Sequence, residues 1–190
     1  MDTTLEQYET ADRPLTALID ATPPDAWDRP SPCEGWAARD VVAHMVETQR
    51  SFFAERGIDL GAAPDVVADP AAAWHAHAAR VRAALADEEV ATKGFDGFFG
   101  PTTLGAALVQ FYVWDMVVHR WDVATAVGAD PGLTEAEVDR MEAGAAGFGD
   151  ALYMEGICRP GVEPAAGADR ATTVLARLGR RTGVPAQGTA

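Results

Sequence analysis

Basic residues are scarce in this chain. Fifteen Lys and Arg stand against 29 Asp and Glu in 190 residues, a net charge of -14. Nucleic acid and anionic membrane surfaces both require a basic face, so neither is expected as a partner. A divalent cation or a neutral or electrophilic small molecule suits the acidic balance better. Cysteine is almost missing too. Cys33 and Cys158 are too few for a disulfide framework, so nothing calls for an oxidising compartment. No apolar run approaches the roughly 18–20 residues that cross a bilayer. The acidic start, Met1 to Glu6, lacks the basic and apolar regions of a signal peptide. A cytoplasmic location is expected. With 48% hydrophobic and 23% charged residues, the composition is that of a folded domain rather than a disordered chain.

What is present is helical periodicity. Leu5, Tyr8, Ala11, Leu15, Leu18 and Ile19 share a stripe and predict a helix from Thr3 to Ala21, with a kink or a late start at Pro14. A turn-rich stretch follows from Thr22 to Gly35. A second helix is expected from Ala37 to Arg56, with Val41, Met45, Thr48 and Phe52 facing inward and Gly57 ending it. Asp69 and Pro70 open a third helix, reaching about Ala86, whose inner face reads Trp74, Ala78, Val81 and Leu85. Gly94 to Pro101 reads as a glycine-punctuated aromatic loop. Thr102 or Thr103 then caps a long fourth helix that Gly128 stops after Val127. Thr134 and Glu137 form a capping box for a fifth, which frays within Gly144 to Gly149 or continues to Tyr153. Asp169 to Leu178 is a short closing helix. No strand or internal repeat stands out. The reading is an all-α four-helix bundle over residues 1–181 with short extra C-terminal helices, and a disordered tail from Thr182 to Ala190.

The chemistry sits on the fourth helix. Its stripe runs Leu104, Leu108, Phe111, Asp115, then Val118 or His119, then Asp122. An inward carboxylate without a partner is costly, so Asp115 needs a cation, an imidazolium or a metal. Four residues separate Asp115 from His119, one helical turn, which lets both reach one ion. His44 stands beside Met45 on the inner stripe of the second helix and points into the same bundle. Two nitrogens and one oxygen would leave an open coordination position, as catalytic zinc sites do. An internal Asp–His pair with His44 as a separate core histidine satisfies the same pattern. Asp122 either orients the His119 ring or is an ordinary exposed acid.

Pro32-Cys33-Glu34-Gly35-Trp36, followed by Arg39 to His44, resembles the first signature of the DinB-like superfamily, most closely the branch around mycothiol-dependent maleylpyruvate isomerase. Phe99-Gly100 with the later run Asp115 to Asp122 resembles the second, and Leu175 to Arg180 is similar to the closing motif of small stand-alone members. The resemblance implies a four-helix bundle holding a divalent metal, with zinc expected, through His44, Asp115 and His119. Asp115 stands where the maleylpyruvate isomerases have Glu, one methylene longer. The resemblance also implies mycothiol as cosubstrate, and superfamily members are often homodimers.

The function expected is a metal-dependent enzyme using a low-molecular-weight thiol for isomerisation or S-transfer on an electrophilic small molecule. A metal-binding protein without turnover (a carrier, sensor or scaffold) and a metal-dependent hydrolase are the alternatives. Other residues carry weaker signals. Cys33 precedes the second helix, whose N-terminus could lower a thiol pKa, but a small buried cysteine is the commoner role. Cys158 reads as a bystander. His75 and His77 are two apart and diverge, His75 toward solvent and His77 partly buried, so neither is expected to bind the metal. Phe95, Phe98 and Phe99 cap the bundle or form an apolar mouth over the metal, packing being the expected role. Arg177, Arg180 and Arg181 could attract an anionic thiol cofactor, but solvated surface is the commoner role of such a cluster.

Overall fold

Thr3 caps the first helix, α1 (Thr4–Ala21). Its hydroxyl accepts the Glu6 amide while the Glu6 carboxylate accepts the Thr3 amide. The computed structural model describes residues 2–154, 157–164 and 166–181, so the tail from residue 182 onward lies outside the described residues. Helix α1 continues through Pro14, and the late start does not occur. An interior proline costs about 3 kcal/mol. Tyr8, Leu15, Leu18 and Ile19 are buried on the same face, at about 1.5–3 kcal/mol for each large apolar side chain, which outweighs the proline.

Helix α2 (Ala38–Ala54) starts where the Asp40 carboxylate accepts the Ala37 amide, and buries Val41, Met45 and Phe52. Asp69 caps α3 (Pro70–Leu85), which buries Trp74, Ala78, Val81 and Leu85 as its spacing predicts. A single turn, α4 (Glu88–Ala91), leads into a feature that the sequence reading treats as a loop. Gly94–Gly97 (β1) and Gly100–Thr103 (β2) pair antiparallel, with Gly94 opposite Thr103 and Gly97 opposite Gly100. Four-residue strands rich in glycine carry no hydrophobic alternation, and these pair only with each other. The turn leaves Phe98 and Phe99 at its tip.

Thr103 caps α5 (Leu104–Ala107), which runs through a π-helical stretch (Leu108–Val113) into α6 (Trp114–Val127). The wider π turn breaks the stripe read from the sequence. Leu104 and Leu108 are wholly buried in the core, whereas Phe111 and Asp115 face a cavity on the other side. Gly128, in the left-handed conformation, ends α6.

Around the bundle, α1 packs on α3 and α6, and α2 packs on the same two helices. Consecutive α1 and α2 therefore lie diagonally, and α2 meets α6 although some sixty residues separate them. Helix α7 (Glu135–Phe148), opened by the Thr134–Glu137 capping box, packs outside α6. A Cβ at Gly144 would strike the Trp114 indole, whose nitrogen donates to the Met141 carbonyl at 3.1 Å. The helix ends at Phe148 and a 3-10 turn carries the chain on through Gly149–Tyr153. Helix α8 (Arg170–Arg177), capped by Asp169, leans on α7. The fold is an all-α bundle with one small hairpin. Among the described residues no helix is long and apolar enough to cross a membrane.

Candidate metal centre

His44 on α2 and Asp115 and His119 on α6 converge where those two helices face each other. Asp115 Oδ1 lies 3.2 Å from His119 Nε2, and Asp115 Oδ2 lies 3.7 Å from His44 Nε2. One ligand atom from each of the three residues can be chosen so that all lie within 4.8 Å of one another. Donors about 2.0–2.1 Å from a tetrahedral ion stand about 3.3–3.4 Å apart, so this set fits a divalent metal with little movement. His119 is nearly enclosed, whereas His44 and Asp115 are half-buried and open to the cavity.

A chain of contacts behind His119 determines which of its nitrogens faces the site. Asp122, with no exposed surface, accepts from His119 Nδ1 at 2.8 Å. Arg180 in turn grips Asp122 with two bonds, Nη2 to Oδ2 at 2.8 Å and Nε to Oδ1 at 3.3 Å. With a proton held on Nδ1, the Nε2 lone pair is the one available to an ion. Asp122 thus orients the ring and is not an exposed acid. A second potential set, Cys33, His119 and Asp122, exists nearby. Its oxygen and nitrogen already bond each other, and the Arg180 guanidinium adjoins them, so a cation there would meet a positive charge. The first set is the better binding site.

The surrounding charges sort the ionisation states. Burial pushes His44 below its ordinary value against the opposing pull of Asp115, with the adjacent His119 adding to the drop, so His44 is neutral at pH 7. Burial opposes charge on His119, but hydrogen bonds and attraction from Asp115, with Asp122 behind, raise it well above 6.5. Burial would also raise Asp115 and Asp122. The His119 charge overcomes it at Asp115, and Arg180 with the His119 hydrogen bond holds Asp122 at about 2. Without metal, His119 is therefore an imidazolium between two carboxylates, and an arriving ion must displace the Nε2 proton.

Arg180 is the residue that sequence reasoning misplaced. It is buried rather than solvated, because its partner Asp122 lies 58 residues earlier, at no spacing a helix pattern reveals. The Arg180 guanidinium also touches both cysteines, Cys158 Sγ at 3.8 Å and Cys33 Sγ at 4.0 Å. Cys33 sits in a bend ahead of the Ala37 cap, not on the first turn of α2, and its thiol donates to Asp122 at 3.4 Å. Burial raises the Cys158 thiol above its usual range. Trp36, from the first signature, lies 4.9 Å from the His44 ring.

The two other histidines stay apart from this cluster. His75 is exposed and pairs with Asp20 at 2.8 Å. His77 is wholly buried rather than partly so, because Gln49 of α2 supplies an oxygen at 3.0 Å.

The site opens into a cavity of about 960 Å³. Phe95, Phe98 and Phe99 all line it, and Phe95 also packs against the core, with its ring 6.3 Å from that of Phe52. Phe111 and Phe148 continue the wall, with ring centroids 5.4 Å apart.

One protein-family model, described as the mycothiol maleylpyruvate isomerase N-terminal domain, matches residues 8–124. That span runs from α1 into α6 and contains His44, Asp115, His119 and Asp122, while Arg180 lies beyond it. No curated protein sequence and no solved structure matches the chain.

Proposed function

The chain belongs to the family of mycothiol maleylpyruvate isomerase N-terminal domains, and from that premise we propose a divalent-metal-dependent enzyme, with zinc as the metal. It uses a low-molecular-weight thiol, mycothiol by the family's description, to isomerise or S-transfer to an electrophilic small molecule. The observation that carries this reading is the convergence of His44, Asp115 and His119 at the end of a cavity large enough for two reactants. The metal, when bound, supplies a Lewis-acid position that keeps a thiol sulfur deprotonated at neutral pH.

The chain's own residues would do the remainder. Asp115 is the single anionic ligand, so the site keeps net positive charge toward an incoming anionic sulfur. Asp122 and Arg180 hold the His119 ring in place. Tyr112 lines the same cavity, and burial pushes its phenol up to about 12. Its Oη stays protonated and is available to donate a hydrogen bond to a developing enolate. The aromatic hairpin contributes Phe95, Phe98 and Phe99 as an apolar part of the cavity wall.

The test compares zinc-loaded with chelator-stripped protein for consumption of mycothiol and glutathione against an activated alkene. The expected result is faster thiol addition in the zinc-loaded sample. Equal rates with every thiol, at full zinc occupancy, would refute the thiol reading. Ester hydrolysis by the same loaded sample would then point to metal-activated water.

A further inference from the structure

The cavity's lining is sharply divided. Its inner end carries the two histidines and Asp115, while its outer part is walled by phenylalanines. Phe99 stacks near-parallel to Phe111 at 6.1 Å and 19°, and both approach Phe148. Exposure adds a second, independent observation. Phe98 is 69% and Phe99 52% exposed, and Tyr153, Met154 and Ile157 are exposed beside them. All five line this cavity. Val67 is the single large apolar residue left exposed elsewhere among the described residues. Apolar area left in water at one rim, next to a polar end, is the arrangement of a ligand site.

The basic groups of the lining are already engaged. Arg180 is bound to Asp122, and Arg159 pairs with Glu34. The Arg56 guanidinium lies over the Phe52 and Phe95 rings at 3.9 and 4.1 Å, with Nη1 on the Phe52 carbonyl at 2.6 Å. Each of these cations thus has a protein partner, Arg56 also lying 3.3 Å from Glu55, and Asp96 adds a carboxylate to the same lining. A carboxylate laid against that wall would lose hydration without replacement.

We infer that the site takes an uncharged electrophile with a flat aromatic or conjugated body, its ring against Phe98, Phe99 and Phe111 and its reacting carbon toward His44, Asp115 and His119. A dicarboxylate is the substrate class this lining rejects. The inference rests on the thiol–electrophile reading for the reacting group, but the preference itself is a binding property measured without thiol.

Calorimetry on the full-length chain, as isolated and after zinc loading, tests it with three unreactive ketones. 4-Phenyl-2-butanone carries the ring, 2-butanone lacks it, and 4-(3-oxobutyl)benzoate adds a carboxylate to the ring's far end. The first is expected to bind at least about tenfold more tightly than either of the others. Phe98→Ala with Phe99→Ala should weaken it about tenfold, or about 1.4 kcal/mol, and leave 2-butanone unchanged. Both residues are exposed, so the fold tolerates their loss, and an unchanged circular dichroism spectrum confirms it. Binding of the benzoate as tightly as the neutral ketone overturns the inference. So does absence of a ring preference, or indifference to the two substitutions. If the ring preference holds while no thiol is consumed, the catalytic reading alone fails; if thiol is consumed without the preference, this inference alone fails.

Discussion

Helix α2 carries Gln49 on a side that meets α3 and His44 on a side that meets α6, and each side encloses a histidine from its neighbour. On the first side His77 donates to Gln49, has no partner for Nδ1, and faces no carboxylate among its hydrogen-bond partners. Burial, helped by the charge of Arg50, pushes its pKa down to about 3. On the second side His119 is almost as enclosed, but lies between Asp115 and Asp122, and its pKa is raised well above 6.5. Burial acts against the charged form in both places. Partner chemistry decides the sign. A histidine buried against an amide is held neutral, whereas one between two carboxylates is held charged.

The comparison is broken most directly by removing the rings. His44→Ala or His119→Ala is expected to abolish stoichiometric zinc binding, while His75→Ala and His77→Gln retain it. Elemental analysis after desalting checks this, and full occupancy in both alanine variants would show that the ligands are elsewhere. The next largest effect concerns acid stability on the His77 side. The folded chain keeps His77 neutral down to about pH 3, while the unfolded chain protonates it below about 6.5. Stability is thus complete above 6.5 and lost as pH falls toward 3, at up to about 1.4 kcal/mol per pH unit from this group. Urea unfolding from pH 7 to pH 4 should show that slope, and His77→Gln should flatten it.

Two smaller effects sharpen the metal side. Asp122→Asn replaces one of the two carboxylate oxygens by a donor and removes the charge that His119 and Arg180 share, and zinc affinity should fall about 10- to 100-fold in competition with a chelator. Because His119 holds its proton above the ordinary 6.5, zinc affinity should already decline as pH falls through neutrality. A proton is released for each ion bound, which calorimetry in buffers of different ionisation enthalpy reads directly. The smallest effect belongs to Cys33→Ser. Its hydroxyl can still donate to Asp122, so zinc binding and thiol addition should change by less than about threefold. A tenfold loss would assign the thiol a part in the reaction.

Much of this molecule was legible in local patterns. Asp69, Thr103 and Thr134 cap helices where the sequence predicts a cap, because a cap is satisfied within three residues of itself; Thr3 and Asp169, read as first helical residues, are caps too. The four-residue spacing of Asp115 and His119 likewise places both on one face whatever the rest of the chain does. His44 joins them because its stripe faces the bundle interior. The exact phase of the fourth helix was not legible. A π turn has no distinct sequence signature, and it sends Leu108 to the core and Phe111 to the cavity.

By itself, then, the sequence determined the helices, their caps and the residues that could meet at an ion, since each follows from periodicity and short-range hydrogen bonding. Only the tertiary structure decided that α2 lies against α6, that the hairpin stands over the site with its phenylalanines exposed, and that Arg180 reaches Asp122 between two cysteines. The Arg180 contacts alone join residues 22 to 147 positions apart. They depend on how whole helices pack, and helix packing is selected by the fit of complete side-chain surfaces rather than by any spacing along the chain.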